Sequence, residues 1–257
     1  MSFKLNWIAF ITIIHKEISR FLRIWSQTLL PSVVTTTLYF LIFGTFIGSQ
    51  VKDIGGVKYI AFIVPGLVML AVITNSFSNV VSSFFGSKFQ RNIEELMVSP
   101  TPNWVIIAGF TIGGVVRGIL VGIIVLLVSL FFTKLQIFSF GIVLIFIILT
   151  SIVFSLAGLT NGIFARNFDD VSIVPTFVLT PLTYLGGVFY SIKDLPPIWQ
   201  IISQFNPILY MVDGFRYGFF GFADINIWLS LAIICFFVLA LSLINLTLLN
   251  TGTGLKS

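Results

Sequence analysis

The side chains that most often carry out catalysis are scarce in this chain. It has one histidine, His15, and one cysteine, Cys235. An enzyme would need a nucleophile beside a base, or a cluster of metal ligands. A single cysteine also excludes a disulfide within the chain. We therefore expect no catalytic, cofactor-binding or metal-binding residues here, and we disfavour an enzyme.

A charged insert is the most unusual segment near the middle of the chain. The stretch "KFQRNIEELMVSP", Lys88 to Pro100, carries four charged residues, although only 9% of the chain is charged. Its centre favours helix, and Pro100 and Pro102 would stop that helix. With Ile93, Leu96 and Met97 as apolar contacts, it suits docking into a groove of a partner protein. The alternative is a solvated loop.

Two smaller features carry charge as well. The segment "ARNFDDV", Ala165 to Val171, holds one aromatic residue, Phe168, beside an acidic pair, Asp169 and Asp170. Arg117 is the one charge inside a long apolar run, and an ionisable group at membrane depth is a functional candidate. The alternative for Arg117 is a place near the inner boundary, from which its side chain would reach the headgroups.

The elements that carry these residues are typical of a membrane protein. The chain has 257 residues, 57% of them hydrophobic, and a mean hydropathy of +1.09. A soluble domain averages about 45–50% apolar and about 25% charged residues. The chain has 14 Lys and Arg against 9 Asp and Glu. We attribute this basic excess to loop charges that set the orientation of the protein in the membrane, and we expect no nucleic-acid partner.

Six apolar segments are long enough to cross a bilayer, which takes about 20 helical residues. We therefore predict an all-α integral membrane protein with a single transmembrane domain, 1–257, and lipid around it. The predicted spans are 28–48, 59–84, 105–132, 139–164, 171–190 and 226–249.

Residues 1–27 are predicted to form an amphipathic helix in the membrane interface. One helical face is apolar, and the basic residues on the other would point to the lipid headgroups. The alternative is a helix packed on the bundle. The apolar face comprises Ile8, Ile11, Ile18, Leu22 and Trp25, and the polar face Thr12, Lys16, Ser19, Arg20, Arg23 and Gln27.

The loop charges favour cytoplasmic termini. With the N-terminus inside, eight Lys and Arg fall on the inner side and five on the outer side. Inner loops of membrane proteins carry the excess of Lys and Arg. The inner set is Lys4, Lys16, Arg20, Arg23, Lys88, Arg91, Arg166 and Lys256, and the outer set Lys52, Lys58, Lys134, Lys193 and Arg216.

The outer connection 191–225 is too apolar to be a free loop. A Leu195-Pro196 break precedes a short amphipathic stretch and then an apolar one. We predict a re-entrant helical pair that dips into the outer leaflet, covered by protein. Pro207 and Tyr210 should fix its corner, and Asp213 should pair with Arg216.

Two segments resemble one family. "RNIEELMVSP" resembles the coupling helix of ABC-2 type permeases, the membrane subunits of a class of ATP-binding cassette exporters (the type V exporter architecture). "LTPLTYLGGVFYSIKDLPPIWQIISQFNPILYMVDGFR", Leu179 to Arg216, is similar to the signature of that family. The matching positions are Leu179, Leu182, Leu185, Gly186, Val188, Leu195, Pro196, Pro207, Ile208, Tyr210 and Arg216.

The resemblance implies a bacterial inner-membrane exporter in which two permease subunits form the path and two ATPase subunits supply the energy. The chain has no G-x-x-x-x-G-K-[ST] phosphate loop, so ATP and Mg²⁺ would bind the partner ATPase. Loop 86–103 would hold the coupling helix, with Arg91, Glu94 and Glu95 as polar contacts and Leu96 as apolar anchor. The segment with Phe168, Asp169 and Asp170 would be the second coupling element.

Two other functional classes stay open. An ion-coupled secondary transporter would normally place carboxylates within its spans, and we expect none there. A membrane scaffold that transports nothing has no chemical signature. It would be distinguished from a permease by whether a bound ATPase gains substrate-dependent turnover.

Overall fold

All regular structure in the described part of the chain is helical. The computed structural model describes residues 3–48, 50–51 and 53–254, where the single β feature is an isolated bridge between Ile54 and Val57. The α-helices are α1 Phe3–Arg23, α2 Trp25–Thr28, α3 Leu30–Tyr39, α4 Tyr59–Phe89, α5 Asn92–Val98, α6 Asn103–Ser129, α7 Phe140–Phe164, α8 Phe168–Val174, α9 Thr180–Leu185, α10 Pro197–Gln204, α11 Pro207–Phe220 and α12 Ile227–Thr251.

Five stretches are long and apolar enough to cross a membrane. They are Trp25–Ile47, α4, α6, α7 and α12, and each overlaps a predicted span with ends that differ by a few residues. The first, Trp25–Ile47, joins α2 and α3 to a π-helical segment, Phe40–Ile47, and we call it the first span. Lys52 and Lys256, which entered the charge count, lie outside the described residues.

The segment predicted as the span 171–190 is helical but interrupted, and it is not one of the five long helices. It consists of α8, a π-helical turn Pro175–Leu179, and α9, and it ends at Gly186. The prolines explain the interruption, because Pro175 and Pro181 have no N–H to donate to the preceding turn. Gly187 follows with φ 74°, a conformation that glycine adopts without steric cost. We call Phe168–Leu185 the broken helix.

Helix α4 forms the centre of the fold and packs against α6, α7 and α11. Of its 18-residue apolar stretch, 78% is buried. The first span and α12 lie outside it, and only 17% and 11% of their apolar stretches are buried. One apolar cluster joins Ile13, Ile93 and Leu249, so α1, α5 and the end of α12 share one end of the bundle. We call this the α5 end and the opposite one the α10 end.

Candidate functional site

The direction of α5 is set by one residue in a strained backbone conformation. Arg91, between α4 and α5, has φ 61° and is the one non-glycine residue with positive φ in the described part of the chain. This conformation costs a non-glycine residue about 1–2 kcal/mol. The Arg91 N–H donates to the Lys88 carbonyl at 3.0 Å, which holds the turn.

Helix α5 lies with its apolar face on the bundle and its acidic side outward. Ile93 is buried, and Leu96 packs half-buried against the same cluster. Glu94 and Glu95 are exposed in the first turn, where the helix dipole favours acidic side chains. Val98, 86% exposed, offers the apolar surface on this helix. The role of Leu96 as an anchor for a partner therefore stays a prediction, since the bundle already covers part of it.

The structure brings the two charged segments of the sequence together. The Lys88 ammonium donates to the carbonyls of Ile163 at 2.7 Å and Ala165 at 2.8 Å. The Phe168 ring lies 5.0 Å from the rings of Phe85 and Phe89. A cavity of about 230 Å³ between the segments is lined by Arg91, Glu94 and Arg166, among others. We call 88–98 together with 165–170 the docking surface.

The acidic pair on this surface has two different roles. The Asn167 side chain accepts the backbone N–H of Asp170 at 2.8 Å, and the Asp170 carboxylate accepts that of Asn167 at 3.4 Å and that of Arg166 at 2.8 Å. This reciprocal capping starts α8. Asp169 is exposed and takes no part in it, and Phe168 is also exposed. Asp169 and Phe168 are thus accessible to a partner, whereas Asp170 has a structural role.

The signature residues at the α10 end form a helical corner. Leu195 and Pro196 precede α10, and Pro207 is the first residue of α11. The Tyr210 hydroxyl donates to the Gln204 carbonyl at 2.8 Å, from one helix of the pair to the last residue of the other. The Leu195 carbonyl accepts the Gln200 side chain at 2.8 Å. These residues set the geometry of the α10–α11 pair, and the Tyr210 hydroxyl and the Leu195 carbonyl are engaged within it.

Arg216 and Asp213 are buried together inside this corner, 3.9 Å apart. Arg216 is 2% exposed, donates to the Gly187 carbonyl at 2.6 Å and lies 4.1 Å from the Phe62 ring centre. Asp213 also accepts the backbone N–H groups of Asp224 and Ile225. Burial raises the pKa of the Asp213 carboxyl and lowers that of the Arg216 guanidinium, and their mutual attraction opposes both shifts.

A polar stripe that the sequence analysis missed runs along α4. The residues that form it are Asn75, Asn79, Ser83 and Ser87, four apart, so they share one helix face. The i, i+4 spacing was visible in the sequence and would have been the signal. Helix α1 pairs with three of them. Lys16 donates to Ser87 at 3.4 Å, Ser83 donates to Glu17 at 2.6 Å, and Arg20 donates to Asn79 at 2.9 Å.

This pairing bears on the expected orientation of α1. The buried residues of α1 are Ile13, Glu17 and Phe21, a line that belongs to neither predicted face. From the predicted polar face Arg20 is half-buried, whereas Lys16 and Arg23 are exposed, as are the apolar residues Ile8, Ile11 and Leu22. A carboxylate is also present inside the bundle, because Glu17 is 0% exposed. Its hydrogen bond from Ser83 and its contact with Arg20 at 3.4 Å stabilise the charge.

A large cavity lies between the first span, α4 and the broken helix. It measures about 420 Å³, and thirteen of its twenty lining residues carry a hydroxyl or an amide. At the α10 end the hydroxyls of Tyr39 and Tyr184 lie 3.0 Å apart, with the Phe189 ring against both. Its polar lining comprises Gln27, Thr28, Ser32, Thr35, Thr36, Tyr39, Thr74, Asn75, Ser78, Arg117, Thr176, Thr180, Thr183 and Tyr184.

Arg117 is the residue that joins this cavity to the polar stripe. It is 9% exposed, and its Nη2 donates to the Asn75 side chain at 3.1 Å and the Thr28 carbonyl at 3.3 Å. Arg117 lies fourteen residues after Asn103, about 21 Å along a helix of about 40 Å. This is the middle of α6, and both hydrogen bonds hold the guanidinium inside the bundle. A place near the inner boundary, the alternative for Arg117, stays a prediction.

These features define a multi-pass, all-α membrane protein with a polar cavity between its helices. A family model described as "ABC-2 type transporter" matches residues 8–220. The chain is 57% identical, over 98% of its length and 99% of theirs, to the inner membrane transport permease YadH of Escherichia coli K12 and to that of Shigella flexneri. It is also 22% identical to nodulation protein J of Rhizobium leguminosarum bv. viciae, over 96% of this chain and 94% of that protein.

The chain therefore belongs to the ABC-2 type transporter family. It is a membrane permease of this type, a multi-pass inner-membrane protein, and not a catalytic enzyme. Membership implies association with an ATP-binding subunit. The family predicted from the two sequence motifs is confirmed by the match and by the 57% identity.

Proposed function

We propose that this chain is the permease subunit of an ATP-binding cassette exporter in the bacterial inner membrane. Two copies would form the path, and two copies of a separate ATPase would bind ATP and Mg²⁺. The observation that carries the proposal is the docking surface, where α5 and the 165–170 segment meet beside the hinge at Arg91. Both elements continue into helices that line the cavity, α4 and the broken helix.

We propose six crossings: the five long stretches and, between α7 and α12, the broken helix. Phe168 contacts Phe85 and Phe89 at the α5 end, and the Tyr59 hydroxyl donates to the Phe189 carbonyl at the other. The 18 residues of the broken helix measure about 27 Å, close to the thickness of a hydrocarbon core of about 30 Å. The α5 end holds both α1 and the end of α12, and this supports an even number of crossings.

We propose that the α5 end, with both termini, faces the cytoplasm. The charge count supports this orientation, and the burial of Arg216 strengthens it, because a buried arginine does not count as a loop charge. Helix α1 would then lie at the inner surface with its exposed apolar face in lipid. The α10–α11 pair would be the re-entrant element of the outer leaflet. The exposed apolar side chains of α10, such as Ile198 and Ile201, support that place.

We propose that a second copy of the chain closes the open side of the cavity. The first span and the broken helix flank it. Both elements also expose large apolar side chains, among them Leu38 and Phe177. ATP-driven closure of the ATPase pair would shift α5, and α4 and the broken helix would carry the shift to the cavity. Such coupling needs a bundle with two states and a partner that binds them with different affinity.

Reversing the charge of α5 tests the proposed coupling. In Glu94→Lys/Glu95→Lys, we expect the affinity for the ATPase to fall at least about tenfold, because the exposed carboxylates no longer complement the partner. The measurements are co-purification of the ATPase and its turnover in reconstituted membranes. The matched control is Asp53→Lys/Asp194→Lys, two exposed acids at the α10 end. Unchanged binding and turnover would reject the docking surface, and binding without any stimulation of turnover would indicate a scaffold.

The orientation has its own test. In a Cys235→Ser background, a membrane-impermeant thiol reagent added from outside should label Lys193→Cys and not Asn92→Cys. Both positions are exposed, Lys193 at the α10 end and Asn92 at the start of α5. Labelling after cell lysis should reach both. The reverse pattern in intact cells would overturn the proposed orientation.

A further inference from the structure

The large cavity has a one-sided charge. Among the described residues that line it, Arg117 is the only charged one. Its polar neighbours in the wall are neutral hydroxyls and amides, which can donate to an anion but do not neutralise a cation. The electrostatic character of this cavity is therefore positive, in the middle of the bundle.

The guanidinium of Arg117 is incompletely satisfied. Its Nε is buried and has no hydrogen-bond partner in the structure, and its Nη2 donates to two neutral oxygens. In the described part of the chain, no carboxylate lies within ion-pair distance of it. A buried charge without a counter-charge is costly at membrane depth. The arrangement is explained if the counter-charge arrives from outside the subunit.

A second copy of the chain does not supply that counter-charge. Glu17 is already engaged by Ser83 and Arg20. The other eight acidic residues lie at the two ends of the bundle and not at the depth of Arg117. They are Glu94, Glu95, Asp169 and Asp170 at the α5 end, and Asp53, Asp194, Asp213 and Asp224 at the α10 end.

We propose that the cavity binds the anionic head of an amphiphile and that Arg117 holds its oxyanion. This inference rests on the proposed function, since it names the substrate class of that path. The guanidinium fork suits the paired oxygens of a phosphate or carboxylate, and the hydroxyls of Ser32, Thr35 and Thr74 suit a hydroxylated head. The first span, which lines the cavity, also exposes apolar side chains such as Leu38, and these suit an acyl tail.

The test measures binding to the permease without the ATPase. The full chain is purified in uncharged dodecyl maltoside, and its Tm is followed as dodecyl phosphate is added. We expect a saturable rise in Tm with dodecyl phosphate and none with dodecyl glucoside, which has the same tail without charge. Inorganic phosphate is the third probe. A rise with it as well would support the oxyanion site and assign the affinity to the free anion, whereas a rise with dodecyl phosphate alone would support an amphiphile.

Three variants complete the test. In Arg117→Gln, the half-saturating concentration of dodecyl phosphate should rise at least about tenfold. Without probe its Tm should equal or exceed that of the wild type, because an uncompensated charge has been removed. Arg117→Lys should keep part of the response. Arg23→Gln, which changes an exposed arginine at the end of α1, should respond as the wild type does.

Two results would overturn the inference. One is a wild-type Tm that does not respond, or an equal response in Arg117→Gln. The other is an Arg117→Gln protein less stable than the wild type without probe, which would make Arg117 a structural residue. Failure of the proposed function is distinguishable, because it would appear as an ATPase that the wild-type permease neither binds nor stimulates.

Discussion

Replacing Arg216 with leucine is expected to lower the free energy of unfolding by about 3–5 kcal/mol, the range for removal of one partner from a buried ion pair. Asp213 would keep its two backbone N–H donors from Asp224 and Ile225. The Gly187 carbonyl would lose its guanidinium donor, and the Phe62 ring would lose the cation beside it. The turn after the broken helix would lose the hydrogen bond that joins it to the middle of α11.

Unfolding of the purified protein by SDS titration in mixed micelles measures this loss. The control is Lys193→Leu, which removes the ion pair of an exposed lysine with Asp224 and should cost at most about 1 kcal/mol. Binding of the ATPase to the fraction that remains folded should be unchanged, since the docking surface lies at the other end of the bundle. An Arg216→Leu protein as stable as the control would show that the guanidinium contributes nothing to the corner.

The second large effect is expected at Gly158 in α7. A Cβ on this residue would lie 2.5 Å from the Phe77 carbonyl oxygen and 3.2 Å from its carbonyl carbon, both in the backbone of α4. Two packed helices cannot separate locally without loss of other contacts, so Gly158→Ala should cost about 2–3 kcal/mol. Small residues allow this close approach of helices in membranes, where packing drives their association.

The same helix supplies the matched control. Gly141 is exposed, and a Cβ there would meet no atom within 4 Å. Gly141→Ala should therefore leave the free energy of unfolding unchanged or raise it by about 0.5–1 kcal/mol, the helix preference of alanine over glycine. Equal stabilities of the two variants in the same SDS titration would disprove the close contact between α4 and α7.

The long helices follow from the sequence because hydrocarbon leaves the backbone no other partners than its own. Runs of about 20 apolar residues therefore locate α4, α6, α7 and α12 within a few residues. For 171–190 the same criterion finds the segment but not its interruption, because hydropathy does not register that Pro175 and Pro181 interrupt the hydrogen bonds of the helix. The helical pair in 191–225 was predictable from its prolines and its Asn206 cap.

The sites were predictable only where partners are close in the chain. Asp213 and Arg216 are three residues apart on one helix, so their contact could be anticipated. The meeting of α5 with Phe168 depends on how α4 and α7 pack, and sequence spacing carries no information on that. The facing of α1 shows the same limit. Its two faces are clear from the periodicity, but the buried line of Ile13, Glu17 and Phe21 belongs to neither of them, and the packing of α1 on its neighbours selects it.

The polar stripe on α4 also has a consequence for biogenesis. Lys16, Glu17 and Arg20 leave the ribosome ahead of their partners, which lie 71, 66 and 59 residues further along the chain. At a synthesis rate of about 5–20 residues per second, these three side chains wait roughly 3–14 s for their partners. During that time the apolar face, the one that remains exposed in the finished fold, is the face available to hold α1 at the membrane surface. Burial of Glu17 is therefore a late step of assembly, which has to await the insertion of α4.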